Sequence, residues 1–297
     1  MSYAFEVRDL IKIYPGFQLG PLSLALEPGT VLGYIGPNGS GKTTTMHCLT
    51  GLVRADQGEM RIFGRENHPN RPQWKLDIGY VGDMHVFYER WSAARNLRFL
   101  AQFYPNWSQE RAENLARRFA LPLEKKAKDL STGNRVKLSL VAALAHSPRL
   151  LLLDEPTSGL DPVVRSEVLD TLFEVLEDGE SAIFYSTHIL SDIGRLADEL
   201  AFLVDGKVVL RADKEALTQR YRRISFRLDG SRTTFNGCQQ VRREGTLVQV
   251  VSRDAEATLR HLASLDAREL QETRMTIDEI AVMVLKHGAG ESPIQES

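Results

Sequence analysis

The sequence is poor in cysteine: only Cys48 and Cys238 occur in 297 residues, and they lie far apart. Neither belongs to a metal-ligand spacing, so the sequence predicts neither a disulfide framework nor a zinc site. A chain of this length has enough apolar material for a core without such cross-links. We interpret both thiols as buried groups in a reducing compartment.

Long hydrophobic runs are also missing. No apolar stretch approaches the roughly 20 residues that span a bilayer, and Glu6, Arg8 and Asp9 occupy the region where a secretory signal would be apolar. We therefore expect another chain to supply spanning helices if this protein works at a membrane. The formal net charge of −2 gives no global reason to expect nucleic-acid or lipid binding.

Apolar strands and helical patterns do alternate along the first two thirds of the chain, which predicts an α/β fold with a helix-covered, mainly parallel sheet. Residues 150–153, four leucines, are typical of a strand buried on both faces. A helical block at about residues 84–147 is predicted to be an insertion into this sheet. We divide the chain into a domain at residues 1–211, a small α+β domain at 212–287 and a flexible tail at 288–297. Asp161 is predicted to cap the helix that starts at Pro162, and Thr276 and Glu279 are predicted to form a capping box at the start of the last helix.

A glycine-rich stretch, "GPNGSGKTTT", follows the predicted strand "VLGYI" and precedes a predicted helix. It fits the pattern G-x-x-x-x-G-K-[ST], in which backbone N–H groups and the helix N-terminus surround phosphate oxygens. The lysine would reach the β- and γ-phosphates, and the first threonine would place its hydroxyl on Mg²⁺. The predicted nucleotide-binding residues are Gly36, Pro37, Asn38, Gly39, Ser40, Gly41, Lys42, Thr43 and Thr44.

The motif "LLLLDEP" supplies the carboxylates that such a site requires. Asp154 would anchor Mg²⁺ together with Thr43. Glu155 follows it and would polarise the attacking water as a general base. The alternative is that both are ordinary acidic turn residues after a strand.

Between these motifs lies "LSTGN", residues 130–134, followed by a predicted helix. Here the chain resembles the ATP-binding subunits of ABC transporters, whose signature reads LSGGQ. The order of the motifs is also similar, because "LLLLDEP" is followed by "SGLD" and then by "STH", which ends at His188. The resemblance covers about residues 4–210.

The resemblance implies a P-loop ABC cassette with a mixed sheet core, an antiparallel β subdomain and an inserted helical subdomain. It also implies two subunits that face head to tail and bury two ATP molecules. Ser131 and Gly133 would contact the γ-phosphate in the opposite subunit's site, and Asp161 would cross the same interface. His188 would act with Glu155 and Lys42 in catalysis, and Tyr14 would stack on adenine.

Two departures from the family pattern stand out. The segment that usually reads "YVPQ" is "YVGD" here, so Asp83 replaces a glutamine. Asp83 would approach Mg²⁺ or the water as a charged group; the alternative is a turn aspartate without metal contact. In the signature, Thr132 and Asn134 replace glycine and glutamine, and the added Cβ at Thr132 narrows the approach of the backbone to phosphate.

The sequence is compatible with three functions. The leading one is the ATP-hydrolysing subunit of a transporter of the bacterial export type, bound to transmembrane permease subunits at the cytoplasmic face of the inner membrane as a homodimer or heterodimer. The second is a soluble ABC-type ATPase acting on ribosomes or DNA, but the chain has one cassette and only 88 residues between Lys42 and Ser131. The third is a nucleotide-binding regulator with little hydrolysis, against which Glu155 argues. We expect ATP and Mg²⁺ as cofactors and no nucleic-acid partner.

Overall fold

The computed structural model describes residues 2–68, 70–82, 87–177, 179–229, 235 and 238–287, with the backbone alone at 239–241. The strands are β1 Phe5–Tyr14, β2 Phe17–Leu26, β3 Val31–Ile35, β4 Gln57–Ile62, β5 Arg65–Glu66, β6 Ile78–Val81, β7 Leu150–Asp154, β8 Ala182–Thr187, β9 Glu199–Val204, β10 Lys207–Asp213, β11 Arg222–Arg227, β12 Cys238–Glu244, β13 Leu247–Ser252 and β14 Arg268–Arg274. The α-helices are α1 Lys42–Leu49, α2 Ala93–Leu100, α3 Gln109–Arg118, α4 Thr132–Leu144, α5 Pro162–Leu176, α6 Leu190–Leu196, α7 Lys214–Arg220, α8 Ala255–Ala263 and α9 Ile277–His287.

The central sheet has six strands in the order β10-β9-β3-β8-β7-β6. The strands from β9 to β6 in this order are parallel to their neighbours, and the edge strand β10 is antiparallel to β9. Every residue of β3, β7 and β8 is buried, as expected for strands with helices or a second sheet on both faces. The predicted α/β class is confirmed. The parallel arrangement brings the carboxyl ends of β3, β7 and β8 to one edge.

A second, antiparallel sheet has the order β2-β1-β4-β5 and shares an apolar core with one face of the central sheet. The helices α2, α3 and α4 lie between β6 and β7 in sequence, although these two strands are direct neighbours in the sheet. The helical block is therefore an insertion, as the sequence predicts.

A third sheet, β12-β13-β11-β14, is antiparallel and has its own apolar core, which includes Phe226, Val250 and Leu262 of α8. The last helix, α9, does not belong to that core. Its residues Ile280 and Ala281 are fully buried in the same cluster as the helices around the central sheet. The carboxy-terminal segment thus folds back onto the α/β unit.

Helix starts follow the predicted capping chemistry. Asp161 is the N-cap of α5, with Pro162 at its first position, and its Oδ1 accepts hydrogen bonds from the N–H groups of Val163 and Val164. Thr276 and Glu279 form the predicted capping box before and within α9. The Thr276 backbone N–H lowers the pKa of the Glu279 carboxyl. Within the described residues, no helix is both long and apolar enough to span a bilayer.

Candidate functional site

The glycine-rich loop connects the buried strand β3 to α1 and is shaped by close backbone packing. A Cβ at Gly36 would lie 2.5 Å from both the carbonyl oxygen of Leu203 and Oγ of Ser40, so no side chain fits there. Gly41, the N-cap of α1, has a φ of 109°, in the region that favours glycine. The loop therefore requires glycine at both ends for different reasons, one steric and one conformational.

Lys42 is the first residue of α1 and is only 6% exposed. Its Nζ donates hydrogen bonds to the carbonyl oxygens of Gly36 at 2.8 Å and Pro37 at 3.3 Å, across the loop. The same ammonium lies 3.4 Å from Oε1 of Glu155. The lysine charge is thus compensated by one carboxylate and two carbonyls.

Two acidic residues lie at the carboxyl end of β7. Asp154 is 1% exposed; one of its oxygens accepts a hydrogen bond from Ser186 Oγ, and Oδ2 has no hydrogen-bond partner among the described residues. An unpaired buried carboxylate oxygen is costly unless a cation or donor completes its environment. Glu155 adopts a φ of 52°, which is uncommon for a non-glycine residue and marks a strained turn.

His188 is coupled directly to Glu155. Its Nδ1 lies 2.9 Å from Oε2 of that carboxylate, so Nδ1–H donates to it. The hydroxyl of Thr187 donates to the same oxygen at 3.2 Å. With Nδ1 engaged, Nε2 of His188 is the nitrogen left for a ligand or a water. This pairing orients both side chains.

These groups line one cavity of about 670 Å³. It brings together ten of the residues predicted from the sequence: Tyr14, Asn38, Gly39, Gly41, Lys42, Thr43, Thr44, Asp154, Glu155 and His188. Gly36, Pro37 and Ser40 shape the loop without lining the cavity. Two lining residues, Phe17 and Ser158, were not predicted. The sequence held a sign of each: Phe17 comes just after the turn that follows Tyr14, and Ser158 belongs to the motif "SGLD".

The remaining predicted residues lie elsewhere. Ser131 is the N-cap of α4 and accepts a hydrogen bond from the N–H of Asn134 at 3.3 Å. Gly133 lies beside Val164 of α5, with 3.6 Å between the nearest side-chain atom and an added Cβ. Neither Ser131, Gly133 nor Asp161 lines the cavity of its own chain. Asp83, the substituted glutamine position, lies outside the described residues.

The donor set of the cavity fits Mg²⁺ bound with a nucleotide. The unpaired Oδ2 of Asp154 and the hydroxyl-bearing Thr43 belong to the same lining, and oxygen ligands are those that Mg²⁺ prefers. The described residues contain no group of three or more histidine, cysteine, aspartate or glutamate side chains that could hold a metal alone.

Comparison with known proteins gives two family matches. A model of the ABC transporter family matches residues 19–158. A second model, described as an AAA domain, putative AbiEii toxin of a type IV toxin–antitoxin system, matches residues 126–191.

Individual proteins are similar over most of the chain. The ABC transporter ATP-binding protein YtrB of Bacillus subtilis is 34% identical over 225 residues, which are 75% of this chain and 77% of YtrB. A fluoroquinolones export ATP-binding protein of Mycobacterium tuberculosis is 33% identical over 76% of this chain and 77% of its own length. A solved structure of an ATP-binding subunit of an ABC transporter superposes with a TM-score of 0.67 at 28% identity, covering 73% of this chain and 92% of that one.

Proposed function

Because this chain belongs to the ABC transporter family of ATP-binding proteins and is an ATPase, we propose that it is the motor subunit of an export-type transporter. The observation that carries the mechanism is the single cavity shared by Lys42, Asp154, Glu155 and His188. Export is supported by the similarity to the fluoroquinolones export protein. The transported substance would be selected by a partner chain.

Binding of ATP would begin in the glycine-rich loop. The phosphates would take the place of the carbonyls of Gly36 and Pro37 as acceptors for Lys42, since an anion competes better for an ammonium than a neutral carbonyl does. The same exchange frees Glu155 from its contact with Lys42. Nucleotide binding would thereby release the carboxylate that hydrolysis requires. Tyr14, which is 38% exposed at the cavity, would stack on adenine.

Hydrolysis would use the Glu155–His188 pair. Glu155 would accept the proton of the attacking water as a general base, and the hydrogen bond between the two side chains would hold His188 with Nε2 available for the γ-phosphate. Thr43 and Asp154 would hold Mg²⁺, which neutralises phosphate charge. We retain Asp83 as a further candidate ligand.

The site would be completed by a second ATP-binding subunit. Ser131 and Gly133 lie at the start of α4, where a hydroxyl, backbone N–H groups and the helix dipole all favour an anion. They lie outside the cavity of their own chain, which supports a role at the phosphates of the partner subunit's site. We propose a head-to-tail dimer with two ATP molecules, in which Asp161 lies at the same interface.

A transmembrane partner would dock at an apolar cleft of about 470 Å³ between the central sheet and the helical insertion. The cleft is lined mainly by apolar and aromatic side chains, among them Leu52, Trp74, Phe87, Leu100 and Tyr104. It lies beside Gly82, the last described residue before Asp83. We propose that it receives a cytoplasmic segment of the permease, which would place the subunit at the cytoplasmic membrane face.

Affinity purification from detergent-solubilised membranes of the source cells tests this function. We expect a multi-spanning protein to be recovered with the tagged chain. Leu52→Arg, at a residue 63% exposed in the cleft, should abolish that recovery and leave ATP hydrolysis intact. Leu247→Arg, at a leucine 46% exposed on β13, should leave both the recovery and ATP hydrolysis intact. Recovery of ribosomal proteins or DNA-bound proteins would instead support the soluble ATPase.

A further inference from the structure

A buried carboxylate outside the ATP cavity connects the segments that carry its acidic and histidine residues. Asp192 lies in α6, four positions after His188, and is 1% exposed. Its Oδ2 accepts hydrogen bonds from Thr157 Oγ1 at 2.5 Å and from the Tyr185 hydroxyl at 3.2 Å. Its Oδ1 accepts from Arg165 Nε at 2.5 Å. We call these four residues the Asp192 cluster.

The partners of Asp192 come from three separate pieces of chain. Thr157 lies in the turn between Glu155 and Asp161, and Arg165 lies in α5, where its backbone N–H donates to the Asp161 carbonyl at 3.0 Å. Tyr185 lies on β8, just before the segment that contains His188. One carboxylate therefore fixes the turn 155–161 to the strand and the helix on either side of His188.

We propose that Asp192 is a positioning residue for ATP hydrolysis, which holds the turn 155–161 and the segment 187–190 in one relative position. This inference rests on the proposed function of that turn and of His188. Asp192 does not line the cavity and acts through Glu155, His188 and Asp161. Its role is thus to set geometry, both at the attacking water and at the dimer interface.

The physical basis is that the Asp192 carboxylate and the hydroxyls of Thr157 and Tyr185 are buried, whereas the Arg165 side chain is 27% exposed. Hydrogen bonds to an ionised group are about twice as strong as neutral ones, and removing one partner of a buried pair leaves the other uncompensated. Without the carboxylate, Thr157 and Tyr185 would retain only their mutual hydrogen bond of 3.0 Å, and Arg165 would lose its counter-charge. The turn could then shift by a fraction of an ångström, and misplacement of about 1 Å can reduce a rate about 100-fold.

Asp192→Ala tests the inference in the full-length chain. We expect kcat for ATP hydrolysis to fall at least about tenfold, equivalent to about 1.4 kcal/mol. Affinity for ADP should stay within about twofold of the parent, because no hydrogen bond or ion pair among the described residues joins the cluster to the glycine-rich loop. Asp170→Ala is the matched control: Asp170 and Arg195 also join α5 to α6, at 3.6 Å, but both are 53% exposed. That variant should hydrolyse ATP like the parent.

The result that overturns the inference is an Asp192→Ala protein that binds ADP normally and retains the parental kcat. If Asp192→Ala does not fold, Thr157→Val removes two hydrogen bonds of the cluster, those of the Thr157 hydroxyl with Asp192 and with Tyr185, at nearly constant side-chain shape. The same split between kcat and ADP affinity then decides, and an unchanged kcat there also overturns the inference. Absence of ATP hydrolysis in the parent itself would contradict the proposed function rather than the role of Asp192.

Discussion

Replacing Glu155 by glutamine separates nucleotide binding from hydrolysis. Glutamine keeps the shape of the side chain and can still accept hydrogen bonds from Thr187 and His188, but it cannot accept the proton of the attacking water. General base catalysis contributes about 10²–10⁴-fold to a rate, so we expect kcat to fall at least about 100-fold, equivalent to about 2.7 kcal/mol.

Binding of ATP should survive this change, with an affinity no lower than that of the parent. Glu155 lies 3.4 Å from Lys42, and the Glu155 and Lys42 side chains are 16% and 6% exposed. Glutamine removes this competition for the lysine, so ATP affinity should not decrease. With hydrolysis blocked, the ATP-bound dimer should accumulate.

The assays are phosphate release in a single turnover and size-exclusion chromatography with saturating ATP and Mg²⁺. Glu256→Gln serves as the control, because Glu256 is 84% exposed on α8 and forms only a loose ion pair of 3.9 Å. A Glu155→Gln chain that hydrolyses ATP within tenfold of the parent would refute the assignment of the base. One that stays monomeric would refute the dimer.

Three further outcomes follow from individual contacts. Gly36→Ala should lower ATP affinity at least about tenfold in equilibrium binding, because its Cβ would lie 2.5 Å from Leu203 O and the loop must shift. Tyr14→Ala should weaken ATP binding by about 1–3 kcal/mol, the range for base stacking on an aromatic ring, whereas Tyr14→Trp should bind ATP like the parent. If Tyr14→Ala and the parent bind ATP with equal affinity, Tyr14 does not stack on adenine. Burial lowers the pKa of the His146 imidazole in the folded chain, so on acidification the unfolded chain binds this proton at a higher pH than the folded chain does. The free energy of unfolding should therefore decrease as the pH drops below about 6.5. His146→Gln should reduce the difference between the melting temperatures at pH 7.5 and 5.5.

Sequence patterns predicted the parts of the fold that depend on local chemistry. The four leucines before Asp154 form the buried strand β7, and the Thr276–Glu279 pair starts α9. The glycine-rich loop was predictable because each residue type in it has a local steric or hydrogen-bonding reason. Such signals lie within a few residues of one another.

Features that depend on tertiary contacts were not predictable. Every residue of β14, "RELQETR", is exposed, so the strand carries no alternation of apolar and polar residues. The return of α9 to the core around the central sheet has no local signature either. Asp192 reads as an ordinary helical aspartate, because its partners Thr157 and Arg165 are 35 and 27 positions away in sequence.

The same limit applies to the site. The sequence placed Lys42, Glu155 and His188 in one series of motifs, but it did not show that Lys42 and Glu155 form an ion pair. The sequence assigned Ser131 to the opposite subunit's site only through the family resemblance, since its position outside the cavity of its own chain depends on how the helical insertion packs. The assignment of roles to these residues remains a prediction.

Trapping of ATP in mixed dimers tests most directly whether two subunits share each site. In the Glu155→Gln background, Lys42→Ala should destroy one half of a site and Ser131→Arg the other half. Neither variant alone should retain ATP on size exclusion, whereas an equimolar mixture should yield dimers with one ATP each, formed by Lys42 of one chain and Ser131 of its partner. A mixture that retains no more ATP than its components would contradict the shared site.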